Sequence, residues 1–286
     1  MKQIVVPTDF SPCADTAIDF AVQSAKLIPA EITLLHSFEV SGNTYTDYMG
    51  VNKEFNRSML SDAHEKLTVI QKRIENAEGP VVHTVVSTDT LKDAIKHTAK
   101  EKNADLVVMG TLGASGIKEK LWGSRTAALI GNTDVPVMII PHAYQWQKPE
   151  KLLLVTNHFE KEPAILNCLF ELAGLYMARI QVAVFTHEHA DHAVTFLEHN
   201  RELPHYEEYL KRNYNEETLT SAHLYGTNFQ ETVQQFINEN SIDILAMVAY
   251  PHHFGDSLFH PSHTKRMSYH TSIPLLVIPA VKNQDA

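Results

Sequence analysis

The sequence is short of several things, and each shortage closes off a class of function. It carries two cysteines, Cys13 and Cys168, in 286 residues. That is too few for a disulfide framework or a thiolate metal cage, and it suits a reducing compartment, with both read as small apolar residues. Basic residues are outnumbered, 24 Lys and Arg against 34 Asp and Glu, for a formal net charge of −10. A protein that grips nucleic acid by neutralising many phosphates needs the opposite balance, so no nucleic-acid partner is expected. No apolar run approaches the roughly 18–20 residues that cross a bilayer, and no membrane partner is expected. The opening stretch MKQIVVPTDF reaches Asp9 before a signal-peptide core has formed, which predicts a soluble, non-exported, cytoplasmic chain.

Catalytic signatures are missing too. GxxxxGK[ST] does not occur, and PTDFSP stands after the first strand where a dinucleotide-binding domain would have GxGxxG. A nucleotidyl-transfer enzyme would need a Ser/Gly-rich phosphate loop at that same place, which Ser11 alone does not make. There is no HExxH pair and no GxSxG elbow, and Ser124 has no His and Asp at a recognisable spacing. No catalytic residue is assigned.

What is present is a repeat. Ile4 to Asp9 (IVVPTD) aligns with Leu152 to Asn157 (LLLVTN) at an offset of 148, which also places Ile32 on Ile180. Farther along the offset is 138: Ala104 to Met109 (ADLVVM) falls on Ile242 to Met247 (IDILAM), and Val135 to Pro141 on Ile273 to Pro279. One fold is therefore written twice, the second copy ten residues shorter in its middle, giving domains 1–143 and 151–281 with residues 144–150 between them.

Each copy reads as alternating strands and helices. Ile4–Pro7, Glu31–His36, Val81–Ser87, Leu106–Gly110 and Val135–Ile140 are short runs apolar at consecutive positions, as strands covered on both faces are. Ser11-Pro12 is a helix start, and Ala17, Phe20, Ala21, Ser24 and Ala25 line one helical face behind it. The expected fold is α/β: two tandem doubly wound domains, each a five-stranded, mostly parallel sheet with helices on both faces. The matching last strands carry proline near their starts and leave an apolar edge. They are expected to pair with each other as an intramolecular pseudo-dimer, with further homodimerisation through other surfaces left open and no protein partner indicated.

Ligands of such sheets bind beyond the carboxyl ends of the strands where strand order reverses. In the first copy those ends read Pro7-Thr8-Asp9 and Gly110-Thr111-Leu112-Gly113, followed by Gly123-Ser124 at the next helix start. Bare backbone and helix-start N–H groups suit a phosphate. This G-2x-G-9x-G-S pattern of Gly110, Gly113, Gly123 and Ser124, with Pro7-Thr8-Asp9 and Leu34-Leu35-His36, resembles the ATP-binding branch of the universal stress protein family. The repeat extends the resemblance over nearly the whole chain, as a tandem two-domain member.

The resemblance implies a protein that binds ATP, or another adenine nucleotide, with Mg²⁺ and acts in stress adaptation by binding rather than by efficient catalysis. It makes Asp9 a ribose contact and places Pro7, Thr8 and Ser37 around the adenine. Met109 and Gly110 then border the nucleotide, and Gly113, Gly123, the Ser124 hydroxyl and the Arg125 backbone hold the phosphates. Slow ATP hydrolysis at the same site is the alternative.

The second copy departs from the pattern. Asp9, Gly110, Gly113 and Gly123 become Asn157, Val248, Pro251 and Pro261, so bulk replaces bare backbone, each proline deletes an N–H, and only Ser262 is kept. This copy is instead rich in histidine: 12 of the 17 lie after residue 150, including His187, His189 and His192, and His252, His253, His260 and His263. Imidazoles suit zinc, but the spacings match no established site, so no metal ligands are assigned; the copy is read as a structural partner or the holder of a different ligand, with a metal-binding module built on these histidines as a further alternative function.

Overall fold

A computed structural model describes residues 1–39, 51–111, 129–142, 144–189, 193–250 and 272–280. Two compact units are present, Met1–Leu129 and Ile130–Ala286.

The first unit holds β1 (Gln3–Pro7), α1 (Pro12–Leu27), β2 (Glu31–Ser37), α2 (Val51–Asn76), β3 (Val82–Ser87), α3 (Leu91–Glu101) and β4 (Leu106–Gly110). Its strands run parallel in the order β3-β2-β1-β4. Ile4, Val5 and Val6 of β1 and Val107 and Val108 of β4 are fully buried. Consecutive burial requires cover on both faces, and each such side chain contributes about 1.5–3 kcal/mol in leaving water.

α1 begins as the sequence predicts. Ser11 is its N-cap, the hydroxyl accepting the Ala14 N–H at 3.2 Å, and Pro12 follows where no donor is needed. Ala17, Phe20, Ala21, Ser24 and Ala25 are all buried. α3 is capped by Thr90, which also donates its hydroxyl to the Asp93 carboxylate at 2.7 Å.

The second unit holds β5 (Val137–Ile140), β6 (Lys151–Thr156), α4 (Pro163–Tyr176), β7 (Arg179–His187), α5 (Ala193–Tyr214), β8 (Thr220–Gly226), α6 (Phe229–Asn240), β9 (Ile244–Ala249) and β10 (Leu275–Pro279). Its strand order is β5-β10-β9-β6-β7-β8, parallel except between β5 and β10. From β8 to β9 this repeats the order of the first unit.

A small device is repeated as well. The Asp105 carboxylate, just before β4, accepts the Gln3 N–H at the start of β1, and Asp243, just before β9, accepts the Lys151 N–H at the start of β6 at 2.9 Å. Asp243 also accepts the Glu150 N–H, which ties down the end of segment 144–150, and the Trp146 ring lies 6.4 Å from that of Tyr176.

The two last strands meet as expected: β5 and β10 pair antiparallel, with Ile139 opposite Leu275 and Val137 opposite Val277. That ladder groups β5 with the second unit and places the division between the units at Leu129, ahead of β5. The strand starts at Val137 and not at Val135 because Pro136 has no N–H for a ladder, while the Val135 N–H goes to the Thr133 hydroxyl at 3.1 Å. No helix among the described residues is long and apolar enough to cross a membrane.

Candidate functional site

In the first unit, strand order reverses between β1 and β4, the neighbours that start the two wings of the sheet. The register Ile4 to Leu106 and Val5 to Val107 brings Thr8 and Asp9 to the same carboxyl edge as Gly110 and Thr111. Pro7 is the ladder partner of Leu35, so β2 brings His36 and Ser37 to that edge too. Pro7, Thr8, Asp9, Ser37, Met109 and Gly110 are thus gathered on one edge. Gly113, Gly123, Ser124 and Arg125 lie outside the described residues.

The loop from β1 to α1 is tied at every residue. The Thr8 N–H donates to the Leu35 carbonyl, and the Thr8 carbonyl accepts from His36 Nδ1, both at 2.8 Å. The Phe10 N–H donates to the Thr8 hydroxyl at 3.0 Å and the Ser11 N–H to Asp9 Oδ1 at 3.1 Å. Phe10 itself has φ 63°, the left-handed region, which costs a non-glycine residue roughly 1–3 kcal/mol. Its ring is covered by the His36 ring at 4.5 Å, and Lys66 Nζ lies 5.3 Å from its centre.

Gly110 is needed for a reason the sequence did not show. A Cβ there would stand 2.7 Å from both the carbonyl oxygen and Sγ of Cys13, so the residue lets the first turn of α1 close onto β4. Cys13 is buried, its Sγ 3.9 Å from the Thr111 hydroxyl. Burial, followed by the charge of Glu171, pushes the Cys168 thiol up to about 12, which makes it unreactive at neutral pH.

At the matching edge of the second unit stands a different network. Glu160 follows β6 and is 4% exposed. Its Oε1 accepts the Glu162 N–H at 2.8 Å, and Oε2 accepts the Tyr250 hydroxyl and lies 3.4 Å from His158 Nε2. Tyr206 donates to the Glu160 carbonyl at 2.6 Å, and His158 Nδ1 is 2.8 Å from Asn157 Oδ1.

Burial pushes the Glu160 carboxyl up, but the hydrogen bonds from His158, Tyr250 and the Glu162 N–H outweigh it, and the group titrates below the ordinary carboxylate range. The Tyr250 phenol is raised, first by burial and then by its bond to Glu160. A buried negative charge spanning the ends of β6 and β9 opposes a phosphate by like-charge repulsion. Val248, the counterpart of Gly110, is buried in β9.

Farther along this edge the Thr186 hydroxyl lies 2.8 Å from both His199 Nδ1 and His223 Nε2, and His223 Nδ1 is 3.0 Å from Asn200 Oδ1. Neither network has a local sequence signature. Among the described residues no three His, Cys, Asp or Glu side chains are grouped to hold a metal ion. His192, His252, His253, His260 and His263 lie outside them, and His187 Nδ1 accepts the His189 N–H at 3.1 Å.

Comparison with known proteins places these features in context. The model of the universal stress protein family matches residues 1–141. Universal stress protein MJ0531 of Methanocaldococcus jannaschii is 30% identical over 155 residues, which cover 52% of this chain and 84% of that protein. Universal stress protein MJ0577 of the same organism is 27% identical over 153 residues, covering 49% and 94%. The crystal structure of a universal stress protein from Archaeoglobus fulgidus superposes with a TM-score of 0.74 at 16% identity, covering 97% of this chain and 98% of that one, a likeness of fold.

Proposed function

We propose a function from one premise: the chain belongs to the universal stress protein family. It is a tandem member whose first domain, 1–143, binds one adenine nucleotide, ATP or a close relative, and whose second domain, 151–281, keeps the fold without the nucleotide site. It acts in the cytoplasm in stress adaptation, by binding rather than by efficient turnover.

One observation carries this reading. Thr8-Asp9 and Gly110-Thr111 stand at the carboxyl ends of the adjacent strands β1 and β4, at the point where strand order reverses, and Gly110-Thr111 leads into the Gly113, Gly123 and Ser124 motif. Hydroxyls and one carboxylate on that edge fit a ribose diol. The phosphates fall to the glycine motif, where Mg²⁺, if bound with the nucleotide, would neutralise phosphate charge. Among the described residues no general base for water stands out, since Asp9 is committed to the sugar in this reading. In the second domain the buried Glu160 carboxylate and the replacements Val248, Pro251 and Pro261 argue against a triphosphate.

Calorimetric titration of the full chain with ATP and Mg²⁺ tests the reading. The expected stoichiometry is near one, and Gly123→Val, which adds bulk to the glycine motif and restricts its backbone, should weaken binding at least tenfold, about 1.4 kcal/mol. A single-turnover assay should show bound ATP persisting unhydrolysed. A stoichiometry near two overturns the claim that only the first domain binds, and binding that survives Gly123→Val but is lost on altering Ser262 moves the site to the second domain.

A further inference from the structure

We infer that His36 is a positioning residue of the nucleotide site, holding Thr8, Asp9 and Phe10 in the conformation that receives the ligand; the inference rests on the nucleotide reading above. The register of β1 on β2 ends with Pro7 opposite Leu35, which sets His36 beside Thr8. The Thr8 carbonyl can only accept, so His36 Nδ1 must carry the proton of their 2.8 Å bond. Together with the Thr8 N–H bond to the Leu35 carbonyl, this fastens both backbone polar groups of Thr8 to β2.

The next residues are then fixed in sequence. The Thr8 hydroxyl holds the Phe10 N–H, Asp9 Oδ1 holds the Ser11 N–H, and the Phe10 ring packs on the imidazole that anchors Thr8. His36 therefore acts twice on the segment that carries Asp9, once through its Nδ1–H and once through its ring face. The left-handed turn at Phe10 is the conformation so secured.

The second unit supplies the internal comparison. There Thr156 is the ladder partner of Val184, so a valine stands where the first unit has His36. Valine offers no donor, the Thr156 hydroxyl instead donates to the His158 carbonyl at 2.6 Å, and His158, the counterpart of Phe10, does not have positive φ. The fold is built in that unit without an imidazole at the position of His36. The anchor, the left-handed turn and Asp9 occur together in the first unit, and all three are replaced in the second. Folding alone does not call for His36, whereas a preorganised Asp9 does.

The test uses the full chain and three variants, His36→Leu, His36→Asn and His36→Gln. Asparagine can place an amide N–H near the position of Nδ1, and glutamine carries it one methylene farther. ATP affinity with Mg²⁺ is measured by calorimetry beside unfolding midpoints in urea, and ¹⁵N NMR of wild type reads the His36 tautomer. The expected result is a five- to twentyfold loss of affinity in His36→Leu, recovery of most of it in His36→Asn but not in His36→Gln, and an Nδ1–H imidazole in wild type. Unchanged affinity in His36→Leu overturns the proposal, as does equal loss in folded His36→Asn or an Nε2–H tautomer. If leucine prevents folding, the asparagine and glutamine pair decides by the same criterion. Wild-type protein that binds no adenine nucleotide overturns the nucleotide reading itself, a result distinct from wild-type binding that ignores His36.

Discussion

His199 and His223 share a single hydroxyl, that of Thr186, at 2.8 Å from one nitrogen of each ring. With His223 Nδ1 donating to Asn200 Oδ1, His223 Nε2 is a lone pair that accepts the Thr186 proton, and Thr186 in turn accepts from His199 Nδ1. The chain of donors has one direction, and a second proton on His223 would require the Thr186 hydroxyl to turn and His199 to change tautomer.

The pH dependence of stability follows from that direction. Burial, followed by the proximity of His199, lowers the His223 pKa below the ordinary 6.5, so the unfolded chain binds this proton more tightly than the folded one. The contribution to stability is fully present above about 6.5 and is lost as pH falls through the lowered folded value. Urea unfolding at pH 7.5 and pH 5 should show a smaller acid loss in His223→Gln than in wild type; equal losses would remove His223 from the acid response.

Tyr250→Phe tests the Glu160 network. Removing the phenol withdraws a donor from a buried carboxylate, which should lower unfolding free energy by about 1–3 kcal/mol at neutral pH. Because the Glu160 pKa is lowered on folding, its contribution is present above the usual 4.5 and disappears as pH falls through the folded value. The acid limb of the stability profile should therefore be shallower in Tyr250→Phe, read by urea titrations between pH 7 and pH 3.

Gly110→Val should destabilise the first unit through α1. The added carbons meet the Cys13 carbonyl and Sγ, and overpacking of this kind costs about 1–3 kcal/mol. Combining it with Cys13→Ala removes the sulfur but leaves the carbonyl, so the double variant should recover only part of the loss. Full recovery in thermal unfolding would mean that backbone and helix move apart freely.

A chain of residues 1–143 lacks β10 and so presents the β5 edge, Val137–Ile140, without a partner. An apolar edge of this kind recruits another. Sedimentation should show a homodimer, and a folded, strictly monomeric fragment would contradict the pairing rule.

Features written locally were legible in the sequence. Ile4-Val5-Val6 announced β1, Ser11-Pro12 the start of α1, and the paired last strands followed from two proline-led apolar runs. The candidate edge was legible because Asp9 and Gly110 each end a strand, and the order of strands decides that such ends meet.

Contacts set by register were not. His36 and Thr8 are 28 positions apart, Thr186 and His223 are 37 apart, and Tyr250 and Glu160 are 90 apart, with no spacing rule linking any pair. Gly110 shows the mixed case: its importance could be read, but not that Cys13 fills the space a side chain would need. The Asp105 and Asp243 carboxylates were aligned as repeat partners, while their role as clamps on strand starts needed the backbone.

The β5–β10 ladder also imposes a schedule on biosynthesis. Ile139 waits for Leu275, a partner made 136 residues later. At translation rates of about 5–20 residues per second, the interval is roughly 7–27 s. Throughout it the nascent chain displays an unpaired apolar strand while its earlier βα elements are free to form. Neighbouring ribosomes on one message present the same strand at the same stage, so the hazard during synthesis is pairing between nascent chains, and slowing elongation between β5 and β10 lengthens it.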